Sequence, residues 1–434
     1  MEAGTIKIFA SVNAPRLRYI AGIILEDILG LEWELITDRR RLGKHRVINY
    51  SGMNISGAFK IVPDPLLFET GISPREISVT EWHDMPVFFQ ATNGSDLPFD
   101  IFAASFFLLS RYEEYLDFQP DEHGRFRASD SLAFRNGFLG RPVIDLWTKE
   151  FARTLLKKFQ TIAFRRNDFS ALVTIDADEP FAYPGRGHFG SLGGFFRDIA
   201  QKTGLSGRKH KRTLQGEKDP YDVFDYIDET LERFGADSIF FFPVGDPSEY
   251  DKNPSYRNEA YRELILRISG KYPTGIHPSY HSAENSSVMI TETGRLKSLL
   301  GSEITRNRFH YLRIAFPRSY SSLDDTGITE DYSMGYPDEP GFRAGIARPF
   351  FFYNIIKDEV TPLRIIPFQV MDCTLSENKG LDSESAKILI SKIIKEVKDT
   401  GGTFVSIWHN TSLLDNPDCR KWRDVFEYTL TRSS

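Results

Sequence analysis

Ser170-Ala-Leu-Val-Thr-Ile-Asp-Ala-Asp178 is an apolar run of strand length that stops on two carboxylates. Continuous apolar stretches of this kind form buried strands, and the segments that follow alternate strand-like and helical patterns. Asp222–Phe234 has helical spacing, Ser238–Val244 (SIFFFPV) is strand-like, Asn258–Lys271 is helical and Thr274–Ile276 is a short strand. Tyr311–Phe316, Arg364–Asp372 and Thr403–His409 read as further strands, with Ser383–Lys398 a helix before the last. Strands separated by helices imply parallel βα units, and this many suit a (β/α) barrel as well as an open sheet. The expectation is an α/β protein whose second part, residues 169–434, is a distorted (β/α) barrel of about seven strands.

The region before it alternates more loosely. Ile6–Ser11, Trp33–Thr37 and Arg46–Tyr50 read as strands, and Pro15–Leu29, Phe99–Leu116 and Leu146–Phe159 as amphipathic helices. Asp121-Glu-His-Gly-Arg125 reads as a turn, and polar Arg165-Arg-Asn-Asp168 marks the boundary. Residues 1–168 are therefore expected to form a smaller α/β domain, of no role assignable from sequence.

Composition removes several function classes. With 54 basic and 60 acidic residues among 434, the net charge is −6, which argues against a general nucleic-acid binder. Two cysteines, Cys373 and Cys419, cannot build a Cys-rich zinc site, so a metal would need His and carboxylate ligands. No stretch approaches the length of a membrane span, and Glu26 and Asp27 interrupt the best apolar run near the N-terminus. The expected location is the cytoplasm. Oligomeric state is not readable.

Three constellations can carry chemistry. Asp176 and Asp178 end a buried strand, where acids ordinarily face water. In His277-Pro-Ser-Tyr-His281, a helix starting at Pro278 would set the two imidazoles on one face. An H-x-x-x-H pair alone is a weak signal, and the H-E-x-x-H form is absent. Ile407-Trp-His409 ends a third strand on a histidine, more often a rim residue than a catalyst. Taken together they gather at carboxyl ends of strands, the rim where barrel catalysis occurs. One Asp and two His make a three-ligand hydrolytic metal site. His310, in Asn307-Arg-Phe-His-Tyr-Leu312, could line the same cleft.

The order and spacing of these motifs resemble the polysaccharide deacetylases of carbohydrate esterase family four. Thr174–Asp178 (TIDAD) stands for that family's T-F-D-D, with one residue between the carboxylates where the family has none. HPSYH at 277–281 stands for H-[ST]-x-x-H, and IWH at 407–409 for L-x-H. The resemblance covers roughly residues 169–434. It implies a divalent ion on Asp178, His277 and His281: zinc first, with cobalt, nickel or iron as other choices. It implies Asp176 as general base, with the roles of Asp176 and Asp178 exchangeable. Arg343 would pair with that base, in preference to Arg348, and Asp372 would orient His409 as the acid. The implied reaction is removal of an acetyl group from an N- or O-acetylated sugar or glycan precursor. The competing expectations are an inactive glycan-binding or assembly protein on the same barrel, or a two-carboxylate glycosidase.

Two further features stand apart. Residues 184–219 are basic and glycine-rich, either a solvated insertion or an anion-binding lid. Within them Gly185-Arg-Gly-His-Phe-Gly190 matches G-x-G-x-x-G without the strand that a dinucleotide site requires.

Overall fold

The computed structural model describes residues 5–43, 46–91, 94–182 and 218–434. Almost all of the basic segment 184–219, including the G-x-G-x-x-G match, lies outside them.

The first part contains a four-stranded parallel sheet, built from β1 (Ile6–Ala10), β2 (Trp33–Ile36), β3 (Arg46–Tyr50) and β4 (Phe59–Lys60) in the order β2-β1-β3-β4. Its β1–β2 crossover is the helix beginning at Pro15, a residue suited to a first helical position because it has no N–H to leave unbonded. A small antiparallel pair, β5 (Thr80–Trp82) and β6 (Met85–Val87), follows. The helix Ile101–Leu109 is buried on every side, and Asp100 caps it by accepting from the N–H groups of Phe102 and Ala103. The amphipathic run expected to continue to Leu116 breaks at Arg111, whose φ of 54° is left-handed, and resumes as the short turn Tyr112–Tyr115.

The second part is one nine-stranded sheet. Its strands are β7 (Ser170–Asp176), β8 (Ser238–Phe242), β9 (Thr274–Ile276), β10 (Arg306–Asn307), β11 (Glu330–Asp331), β12 (Phe350–Asn354), β13 (Glu359–Ile365), β14 (Val370–Met371) and β15 (Thr403–His409). Their order is β12-β13-β11-β10-β9-β8-β7-β15-β14, and every neighbouring pair is parallel except β12 with β13. Where the sequence predicts a distorted barrel of about seven strands, the sheet has nine strands and is not closed, with β12 and β14 at its edges. The sheet nevertheless curls. Phe241 from β8, Tyr332 after β11, Phe368 and Met371 at the β14 end, and Val405 and Ile407 from β15 share one buried apolar cluster. Among the described residues, single backbone bonds join the segment before β14 to the one after β11, such as Phe368 N–H to the Met334 carbonyl at 3.1 Å. A two-residue β14 is too short to close the ladder.

Two strand expectations are also corrected. Tyr311–Phe316 is not a strand; the strand is Arg306–Asn307 just before it, and His310–Leu312 is a tight turn. Arg364–Asp372 divides between the end of β13 and β14. The helix Ser383–Thr400 ends on Gly401 at φ 62°, where a Cβ would run into the Asn167 carbonyl.

The two parts pack on one continuous apolar cluster that includes Leu17, Ile20, Phe106 and Trp147 together with Phe352, Tyr353 and Ile394. The β12–β13 hairpin at the sheet edge is covered from the first part. Tyr19 donates to the Phe351 carbonyl at 2.8 Å, and Arg16 pairs with Asp358 at 2.9 Å. Covering removes an edge that would otherwise invite pairing with another chain. Deeper in, Glu114 pairs with both Arg343 and Arg111, Arg111 also donates to the Arg343 carbonyl, and Asp145 pairs with Arg348.

Candidate active site

Parallel strands deliver their carboxyl ends to one rim, and five of them present polar side chains there. Asp176 and His409 are register partners at the ends of β7 and β15. Thr174 with Ile407, one step back on the same face, lines the curled interior, so the alternation of a strand aims both end residues into the cleft. Asp178 lies beyond the end of β7, His277 directly follows β9, His310 follows β10, and Asp372 follows β14.

Asp178, His277 and His310 each offer one ligand atom, all within 4.8 Å of one another. Asp178 Oδ1 is 3.1 Å from His277 Nε2, and Oδ2 is 3.6 Å from His310 Nε2. The outer hydrogen bonds settle the tautomers. His277 Nδ1 faces the Arg308 carbonyl at 2.6 Å and His310 Nδ1 faces the Asp251 carboxylate at 2.9 Å. Both Nδ1 atoms therefore donate, which leaves Nε2 of each neutral ring as a lone pair pointing at Asp178. Asp178 Oδ1 is shielded from solvent and takes no hydrogen bond. Acceptors that face one another need a shared cation, and imidazoles backed by a carbonyl and a carboxylate are how proteins set out metal ligands. These residues fit a divalent ion.

A proton on ring Nε2 is the other cation that can satisfy Asp178, and the charges show how strongly the site draws one. Burial opposes ionisation of Asp178, but the facing His277 and His310 rings outweigh it and hold its carboxyl well below the usual range. Burial likewise disfavours the His310 cation, yet Asp178 and Asp251 push it up to about 9.

Asp176 is 2% exposed and is gripped by Arg308, whose Nη1 donates to Asp176 Oδ1 at 2.9 Å and to Thr174 Oγ1 at 2.7 Å. Arg308 is itself fully buried, with its guanidinium 4.6 Å from the Phe241 ring centre. Asp372 is consumed in orienting His409. Its Oδ1 lies 2.7 Å from His409 Nδ1, and its Oδ2 accepts the His409 backbone N–H at 2.7 Å. His409 Nε2 then points toward the cleft, 3.7 Å from Asp178 Oδ2. Burial works against the imidazolium, but Asp372, with Asp178 and Asp176 behind it, pushes His409 up to about 10.

The structure brings together Asp176, Asp178, His277, Asp372 and His409 of the residues expected from sequence. It does not bring His281 or Arg343 to them. Ser279 is extended, and its N–H and hydroxyl are held by the Glu292 carboxylate, so no helix starts at Pro278. His281 consequently turns out to solvent beside Tyr280 and Tyr250. Arg343 is buried on Glu114 and the Gly335 carbonyl, and Arg348 on Asp145. Their places are taken by His310 and Arg308. Asp251, 2% exposed, was not anticipated at all; it accepts from Ser248 and the Tyr280 N–H as well as facing His310. His310 was expected to line the cleft but not as a ligand, and Arg308 was not anticipated; the strand before them would have been the signal, but two residues carry no hydrophobic pattern.

Residues 6–160 match a family of unknown function, DUF7033. No curated protein matches. A crystal structure assigned as a polysaccharide deacetylase from Mycobacterium smegmatis is similar at 15% identity, covering 61% of this chain and 84% of that one, with a TM-score of 0.40. A CE4 family pseudoenzyme from Bacillus anthracis is similar at 9% identity over 62% of this chain and 61% of that one, TM-score 0.33. The polysaccharide deacetylase Bc1974 from Bacillus cereus is similar at 10% identity over 61% and 86%, TM-score 0.27.

Proposed function

We propose that this chain is a metal-dependent hydrolase that removes an acetyl group from an N- or O-acetylated sugar or glycan precursor. The observation that carries the hydrolase reading is the convergence of Asp178, His277 and His310, with each imidazole fixed through Nδ1. The acetylated sugar rests on the resemblance of TIDAD, HPSYH and IWH to the deacetylase motifs.

A divalent ion on Asp178, His277 and His310 would supply Lewis acidity toward a water and toward the acyl oxygen. The rest is the work of side chains present in the fold. Asp176, with Oδ1 occupied by Arg308, keeps Oδ2 free to accept a proton from the attacking water. His409, held by Asp372 and favoured as the imidazolium, gives its Nε2 proton to the departing amine or alcohol. Base and acid approach the cleft from adjacent strands, β7 and β15, so their spacing is set by the sheet.

The test is acetate release from an acetylated chito-oligosaccharide after chelation and re-addition of Zn²⁺, Co²⁺, Ni²⁺ or Fe²⁺. Release that is lost on chelation and restored by one of these ions supports the reading. Metal retention with no release from any amide or ester would favour a glycan-binding protein instead.

A further inference from the structure

The turn 121–125, from the first part of the chain, reaches across to the active-site rim. Its Asp121 folds it by accepting from the N–H groups of His123 and Arg125 and from the Arg125 guanidinium at 2.7 Å. Arg125 Nη1 then donates to the Tyr311 carbonyl at 2.7 Å. His123 Nδ1 lies 3.1 Å from the Tyr280 hydroxyl, and its backbone carbonyl accepts from Arg313 at 2.9 Å. Three bonds thus tie this turn to the rim, two of them to the segment that carries His310 and one to Tyr280.

What the turn holds is unusual. Tyr311 has φ 57° and ψ 12°, and Leu312 after it has φ 53°. Two successive left-handed residues that are not glycine are costly, and such strain persists where surrounding contacts impose it, commonly at ligand sites. The result is that Tyr311, adjacent to His310, keeps 36% of its surface exposed at the rim. Its ring centre is 4.7 Å from that of His310 and 4.8 Å from that of His123, and it stands edge-on to Tyr280, which stacks on Tyr250 at 3.9 Å. An exposed aromatic ring fixed beside a hydrolytic centre offers an apolar face to the C–H face of a pyranose.

Resting on the hydrolase reading above, we propose that Tyr311 is a specificity-determining platform for a sugar ring flanking the scissile acetyl group. Arg125 and the 121–125 turn are positioning elements that hold it. The first part of the chain is therefore a component of the substrate site and more than a packing partner.

The test compares wild type, Y311A, Y311F and R125A on an acetylated chitotriose and on methyl acetate, an ester with no ring. Expected is a rise in KM for the trisaccharide of about tenfold in Y311A with kcat within about twofold. The ratio of kcat/KM for trisaccharide to that for methyl acetate should fall in parallel. Y311F should rescue, and R125A should move in the same direction as Y311A. An unchanged KM in Y311A, or an equal loss on both substrates, overturns the proposal. If wild type releases no acetate from either substrate the hydrolase reading fails, and calorimetric binding of the trisaccharide decides separately. Binding lost in Y311A and kept in Y311F supports the platform; equal binding by all variants, or none by wild type, overturns it.

Discussion

Arg308 Nη1 lies 2.9 Å from Asp176 Oδ1, and that single ion pair links the residue after β10 to the end of β7 across the interior of the curled sheet. Both partners are almost wholly removed from solvent. A carboxylate there is costly without a partner, and an arginine there equally so, which makes each a condition for the other. In the proposed reaction the pairing leaves Oδ2, 3.9 Å from His277 Nε2, as the oxygen that meets the water.

Replacing Arg308 by Lys should therefore act on catalysis first. The shorter, single-point cation cannot bind Asp176 and Thr174 together, and a misplaced base costs on the order of 10²-fold in kcat. R343K should instead leave kcat of the folded enzyme near wild type and lower stability. Steady-state kinetics beside urea unfolding of both variants separates the two roles. Equal kinetic losses would count against Arg308 as the base's partner.

Metal content should discriminate among the three histidines. Wild type should carry about one divalent ion per chain, in keeping with a three-ligand site. H277A and H310A should lose it, and H281A should keep it, because His281 faces solvent. Elemental analysis of the four proteins purified in parallel needs no substrate. Loss in H281A with retention in H310A would reverse the assignment.

His409 should matter in proportion to how poor the leaving group is. H409Q should reduce hydrolysis of an N-acetylated sugar by about 10²–10⁴-fold, the usual contribution of a positioned acid. An aryl acetate, whose phenolate departs without a proton, should lose far less. D372N should follow the same order more mildly, since it removes the Asp372 carboxylate that orients the ring. A uniform loss on both substrates would argue that His409 is structural.

Glu114 offers a prediction about stability and pH. It is buried between Arg343 and Arg111. Burial favours its neutral form, but the two guanidiniums outweigh burial and hold its carboxyl below the ordinary glutamate range. A lowered folded pKa stabilises above the unfolded value, near 4.3, and the contribution is lost as pH falls through the folded one. E114Q should cost about 3–5 kcal/mol at pH 7, the range for leaving a buried charge unpaired. The gap to wild type should shrink below about pH 4.3 as Glu114 protonates. Urea unfolding at pH 7 and pH 4 measures both, and a gap that stays constant would remove the ion pair from the account.

Much of this was legible in the chain itself. SALVTID and TFVSIWH are long enough, and apolar enough, to be strands wherever they are placed, and they meet in register over their full length. A strand that ends on Asp or His must aim that residue at the carboxyl-end rim, so Asp176 and His409 could be nominated from local pattern alone. The placement of His277 followed equally from Thr274–Ile276. The identity of the remaining partners could not be read this way. Arg306–Asn307 is a strand only because β9 and β11 flank it, so Arg308 and His310 have no local signature. Arg343 lost its expected role to a glutamate 229 positions earlier in the chain. His281 lost its own because Glu292 holds Ser279 extended. Local apolar pattern determined the longer strands β7, β8 and β15 and the end residues that β7 and β15 carry. Tertiary packing decided which charges meet, since a buried ion or ligand lone pair is satisfied by whatever lies nearest in space, at any distance along the chain.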